Sequence, residues 1–144
     1  MTAVVCDASV VLKWFNRRGE EEVDAARAIV QAHIAGSLRA HVLDLTYYEV
    51  GNAALRSLRW SGERAEQMLD ELEELCGAGI PVAGGVRGTA TRLAAVHGLT
   101  LYDASYWAVA LAGDCMLVTA DRQLIAAGAG LSPRAAAAAL GLHV

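Results

Sequence analysis

The chain has 144 residues, 55% of them hydrophobic and 19% charged, with a formal net charge of −4. This length suits one domain, residues 1–144, and this composition excludes a disordered chain. The acidic balance excludes a general nucleic-acid coating protein, which would be basic.

Ala3-Val4-Val5-Cys6 is a short apolar run that predicts a buried strand ending at Asp7. A helix follows through Val10 to Phe15, then a loop over Asn16 to Gly19. From Glu20 to Ala35 the apolar residues fall at helical spacing, closed by Gly36. Leu38 to Leu43 is expected as the second strand. Asp44 then caps a helix whose inner face carries Leu45, Tyr48, Asn52, Leu55 and Leu58. Ser61 is the candidate cap of the next helix, with Ala65, Met68, Leu69, Leu72, Leu75 and Cys76 inward and its acids facing solvent.

Ile80-Pro81-Val82 predicts a short strand at a sheet edge. Val86 to Val96 and Asp103 to Ala112 are expected helices. Met116 to Thr119 predicts a buried strand ending near Asp121, followed by a short helix from Arg122 to Ala127. Ser132-Pro133 starts an Ala-rich tail helix, residues 132–144, that Gly141 ends. Short strands alternating with helices indicate an α/β domain with a mainly parallel sheet.

The most apolar stretch, Ala104 to Ala112, is too short to cross a membrane. No basic region precedes an apolar run at the N-terminus, so the cytoplasm is the expected location. Cys6, Cys76 and Cys115 are expected as reduced thiols, because they are odd in number and form no CxxC. His33, His41, His97 and His143 lack zinc-ligand spacing.

The chemistry lies in four acids. Asp7 and Asp121 each follow a predicted strand, so parallel pairing brings them to one sheet edge, where ligands bind in such folds. Asp103 and Glu49 reach that edge from helices. Taken singly, Asp7 and Asp103 serve as helix caps and Asp121 as a turn residue. Glu49 is harder to explain, being an acid beside an apolar face. Four gathered carboxylates repel one another, and a divalent cation compensates them. All-oxygen ligands favour Mg2+ or Mn2+ over Zn2+. These acids carry −4, so the rest of the chain is formally neutral.

Four segments resemble the PIN-domain family, and within it the VapC-type toxins of bacterial toxin–antitoxin pairs. They are Val4-Val5-Cys6-Asp7-Ala8-Ser9, Glu49-Val50-Gly51-Asn52-Ala53-Ala54-Leu55, Leu101 to Ala110 around Asp103, and Leu117-Val118-Thr119-Ala120-Asp121-Arg122. Order and spacing match from residue 3 to about residue 128. The resemblance implies a three-layer α/β/α fold and an Mg2+- or Mn2+-dependent endoribonuclease. It also implies a homodimer, inhibited by a small antitoxin encoded nearby. The matched catalytic acids are Asp7, Glu49, Asp103 and Asp121, with Asp7, Asp103 and Asp121 as metal ligands. Ser9, Asn52 and Thr119 match supporting positions. Leu124 stands where many PIN nucleases carry a further acid, so one metal site is better supported than two.

Under this reading Glu49 ligates the metal or orients the attacking water, and hydrolysis leaves a 5′-phosphate and a 3′-hydroxyl. Lys13, Arg17, Arg18 and Arg122 are the candidate phosphate-binding residues. Rival phosphatase or receiver readings fit poorly, because Ser9 stands where the phosphatase needs a second acid and Lys13 is the only lysine. A free-standing RNA-processing nuclease and a non-catalytic PIN-like binding module are the remaining alternatives. Nothing in the sequence names the RNA.

Overall fold

The computed structural model describes residues 1–144. In chain order the elements are β1 (Thr2–Cys6), α1 (Ala8–Phe15), α2 (Val23–Ile34), β2 (Leu38–His41), α3 (Asp44–Asn52), a π-helical turn (Ala53–Ser57), α4 (Gly62–Cys76), α5 (Gly84–His97), α6 (Leu101–Ala112), β3 (Met116–Val118), α7 (Arg122–Ala126) and α8 (Pro133–Ala139). The three strands form one sheet in the order β2-β1-β3. Both pairings are parallel, with Val4 opposite Ala40 and Met116, and Cys6 opposite Val118.

β1 is central and apolar without alternation because both of its faces are covered. Val4 and Cys6 join one core with side chains of α1, α2, α4 and α8. Val5 points the other way, into a second core with Ala90, Tyr106, Val109 and Leu124 from α5, α6 and α7. Helices therefore cover both sheet faces, the three-layer α/β/α arrangement expected. The Ala-rich tail forms α8, capped by the Ser132 hydroxyl, and packs on α2 with Ala136 in the first core. No helix is long and apolar enough to cross a membrane.

Several local expectations are corrected. Ile80-Pro81-Val82 is not a strand: Ile80 makes one isolated parallel bridge to Leu43, and Pro81 has no N–H to extend it. Asp44 is the first residue of α3 rather than its cap, and the Thr46 hydroxyl reaches back to accept from the Leu43 N–H at 3.0 Å. The inner face of α3 carries Thr46, Val50 and Gly51, continued by Ala54, while Tyr48, Asn52 and Leu55 are exposed. α6 begins two residues earlier than its acid suggested. Its cap is Thr100, whose hydroxyl accepts from the Asp103 N–H at 3.0 Å, so Asp103 lies in the first turn.

The segment after β3 returns against the sheet edge through paired backbone bonds. Leu131 N–H donates to Leu117 O, and Thr119 N–H donates to Leu131 O, both at 2.9 Å. Gly130 permits this approach, since a Cβ there would stand 2.6 Å from Leu117 O. Replacing Gly130 by Ala is expected to destabilise the fold by roughly 1–3 kcal/mol, the usual cost of overpacking. Urea denaturation of the variant checks this, and an unchanged midpoint would contradict the close approach.

Candidate active site

The parallel pairing of β1 with β3 delivers two chain segments to one edge. Asp7 follows β1 directly, and its N–H donates to Val118 O at 3.2 Å. It caps α1, with Oδ1 accepting from Val10 N–H at 3.2 Å and from the Ser9 hydroxyl at 2.5 Å. Its Oδ2 accepts from the Thr119 hydroxyl. The same Thr119 oxygen accepts from Asp121 N–H, and Ser9 Oγ accepts from Ala120 N–H, both at 2.9 Å. Ser9 and Thr119 thus lace the two segments together. Asp121 caps α7, with Oδ1 accepting from Gln123 and Leu124 N–H and Oδ2 left open. For Asp7 and Asp121, capping and a place at the site coexist.

Glu49 comes from the open side of α3, where its Oε1 accepts from the Tyr106 hydroxyl at 2.8 Å. Tyr106 Oη in turn lies 2.8 Å from Thr46 Oγ1. The polarity of this chain follows from its ends. Tyr106 has one hydroxyl proton and donates it to Glu49, so the Thr46 hydroxyl, which accepts from Leu43 N–H, donates to Tyr106. A buried relay anchored on backbone therefore holds one Glu49 oxygen and leaves the other open.

The electrostatics are one-sided. Asp7 is 3% exposed. Burial pushes its carboxyl up from 3.8 to about 6 against the lowering effect of its hydrogen bonds, and the Asp103 charge adds to the rise. Glu49 is raised by burial and by the charges of Asp103 and Asp7, opposed by the Tyr106 bond. Asp103 is raised by burial and by the charge of Asp121. The structure has two ion pairs, Lys13 with Glu20 at 2.8 Å and Arg17 with Asp24 at 3.1 Å. Neither touches these acids.

The donor set fits a hard divalent cation, being all oxygen and lacking a counter-charge. However, no three His, Cys, Asp or Glu side chains stand together as a ready cage. That pattern suits Mg2+, which commonly takes one or two carboxylates and fills its shell with water and substrate phosphate oxygens. It gives no ready-made three-carboxylate cage of Asp7, Asp103 and Asp121.

The expected phosphate-binding residues divide. Lys13 is 5% exposed, paired with Glu20 and bonded to Glu21 O at 2.7 Å, so it is not free to grip RNA. Arg17 and Arg18 follow the far end of α1, an eight-residue helix. That places them about 12 Å along the helix from Asp7, and Arg17 is paired with Asp24. Arg122 is exposed and next to Asp121. Asn52 makes no hydrogen bond to Glu49; Tyr106 does. Instead Asn52 lines a cavity with Leu45, Tyr48, Glu49 and Tyr102.

Sequence reasoning assigned no role to Tyr106 or Thr46. The available signal was a tyrosine in an apolar helix three residues after Asp103, whose buried hydroxyl needs a partner.

A family model described as PIN domain matches residues 4–130. The chain is 36% identical over 125 residues to Ribonuclease VapC3 of Pyrobaculum aerophilum, covering 84% of this chain and 91% of the relative. It is 34% identical over 85 residues to Exonuclease VapC9 of the same organism, covering 59% and 64%. Among solved structures it resembles PAE2754 from Pyrobaculum aerophilum, with a TM-score of 0.67, 26% identity and 97% of each chain covered. It also shares its fold with a toxin–antitoxin complex from Klebsiella pneumoniae, with a TM-score of 0.67 at 18% identity, covering 90% of this chain and 97% of that one.

The raised Asp7 carboxyl makes a stability prediction for the metal-free protein. A carboxyl that binds its proton more tightly when folded adds stability below its ordinary value of 3.8 and loses that contribution as pH rises through about 6. The shift of about two units corresponds to about 3 kcal/mol at most. Asp7→Asn is expected to melt higher than wild type at neutral pH in EDTA. The gap should close as pH falls from about 6 towards 3.8. A variant that melts lower by the same margin at every pH would show that the carboxylate's hydrogen bonds outweigh its burial.

Proposed function

This chain belongs to the PIN-domain family, and we propose that it is a metal-dependent endoribonuclease acting as the toxin of a toxin–antitoxin pair. The observation that carries the proposal is that Asp7, Glu49, Asp103 and Asp121, from separate elements, are linked by charge repulsion, Asp103 acting on Asp7 and Glu49 and Asp121 on Asp103, with no cationic side chain paired to them. All four are present, which disfavours a non-catalytic PIN-like module. The VapC3 and toxin–antitoxin likenesses support the ribonuclease and toxin readings.

Asp7, Asp103 and Asp121 would hold Mg2+ or Mn2+ through one or two carboxylates at a time. When bound, the cation supplies charge neutralisation and activation of water at a phosphodiester. Glu49, held on one oxygen by Tyr106, has its other oxygen available to orient water and accept a proton. Its raised pKa suits that task. Arg122 offers a guanidinium to phosphate, and Ser9 and Thr119 fix the Asp7 carboxylate. Purified protein is expected to cut single-stranded RNA with Mg2+ or Mn2+ and to stop in EDTA. Asp103→Asn, at a half-exposed position, should fold normally and lose at least a hundredfold in rate. Cleavage that persists in EDTA would overturn the metal reading.

We also propose a cytoplasmic homodimer bound by a small antitoxin. Exposed apolar side chains on α5 and α6, including Val96 and Leu111, support pairing of copies. The Trp14 ring is buried and bonded to Ala26 O, so the apolar anchors of a partner would meet the exposed Leu55 and the half-buried Trp60. A basic partner side chain, best an arginine, matches the acids. Expression of the chain alone should arrest growth, co-expression of the adjacent upstream gene should restore it, and light scattering should give a dimer. Unimpaired growth would favour a free-standing processing nuclease.

A further inference from the structure

We propose that Tyr48 and Tyr102 form a stacking subsite that takes one unpaired nucleobase of RNA beside the acids. The inference rests on the ribonuclease reading and adds where the substrate's base is held. The two tyrosines lie on different helices, α3 and α6, and each immediately precedes a site acid, Glu49 and Asp103. They are 77% and 63% exposed, among the most exposed large side chains of the protein. Both line one cavity of about 530 Å3 with Leu45, Glu49 and Asn52. That volume falls in the range of small-ligand sites.

The cavity's chemistry matches a base. Aromatic faces stack on any base, and single-stranded RNA is recognised largely in this way. Asn52 is exposed and offers an amide donor and acceptor to a base edge. Glu49 belongs to both the cavity and the acid group, so a base seated here has its own backbone next to the acids.

A second copy of the chain is the competing occupant, since exposed tyrosines and a leucine suit protein contacts. A symmetric contact centred on this cavity would set the acids of one copy against those of the other. Like charges so placed cost several kcal/mol, whereas a base brings no charge. The observations therefore favour RNA.

The test uses the intact protein and short single-stranded RNA of mixed sequence. Tyr48→Ala and Tyr102→Ala are surface changes and should fold. Each is expected to raise KM about tenfold or more, the loss falling on KM rather than kcat, while Tyr48→Phe and Tyr102→Phe stay near wild type. Independently of activity, thiouridine-substituted RNA irradiated with the protein in EDTA should crosslink at these tyrosines. Alanine variants with wild-type KM, or a dimer that falls apart on either substitution, would overturn the subsite. If the wild-type protein cuts no RNA, the nuclease reading fails, and the crosslink alone decides the subsite.

Discussion

Asp7 is an ionisable side chain buried where β1, α1 and β3 meet, held by hydrogen bonds and by no cation. Burying an ionised carboxylate costs free energy that neutral donors only partly offset. Its donors come from the α1 turn, through Ser9 and Val10, and from the chain after β3, through Thr119. The residue that is expensive to bury therefore also ties the sheet edge together. Thr119 can serve both Asp7 and the Asp121 N–H because Cys6 and Val118 are paired in a parallel register. An antiparallel β3 would carry Asp121 to the opposite end of the sheet. The parallel pairing is thus the precondition for a site at all.

How much of this could be read from the chain depends on which force placed each residue. Asp7 and Asp121 were legible because short apolar strands end at them, and a parallel sheet sends such ends one way. Ser61 and Ser132 were legible as caps because a hydroxyl just before a helix has a local task. The face of α3 was not. Periodicity put Tyr48 and Asn52 inside, yet the buried positions are the smaller Thr46, Val50, Gly51 and Ala54. Apolar spacing cannot separate a face that packs on a core from one that lines an open cavity. Lys13 misled for a similar reason: a lone cation near a site reads as free, but its partners, Glu20 and Glu21, come from the loop beyond the helix. The bonds of Tyr106 to Thr46 and Glu49 join residues 60 and 57 positions apart, beyond any local pattern.

The fixed cations bear on what the site can bind. Lys13 and Arg17 are tied to Glu20 and Asp24, and no ion pair reaches the four acids. A lysine built in among them would lower their pKa values and stabilise the empty protein, but it would also compete with any incoming cation. Without one, the repulsion that destabilises the empty fold becomes differential affinity for a positively charged occupant, because binding relieves it in the folded state alone. Under the proposed function, a divalent ion arriving with RNA would relieve it, and so would an arginine from a protein partner. Both would relieve the same charge at the same carboxylates, so the two occupants would exclude each other. Inhibition by a basic segment would then require no second site, because Asp7, Glu49, Asp103 and Asp121 have no cationic side chain paired with them.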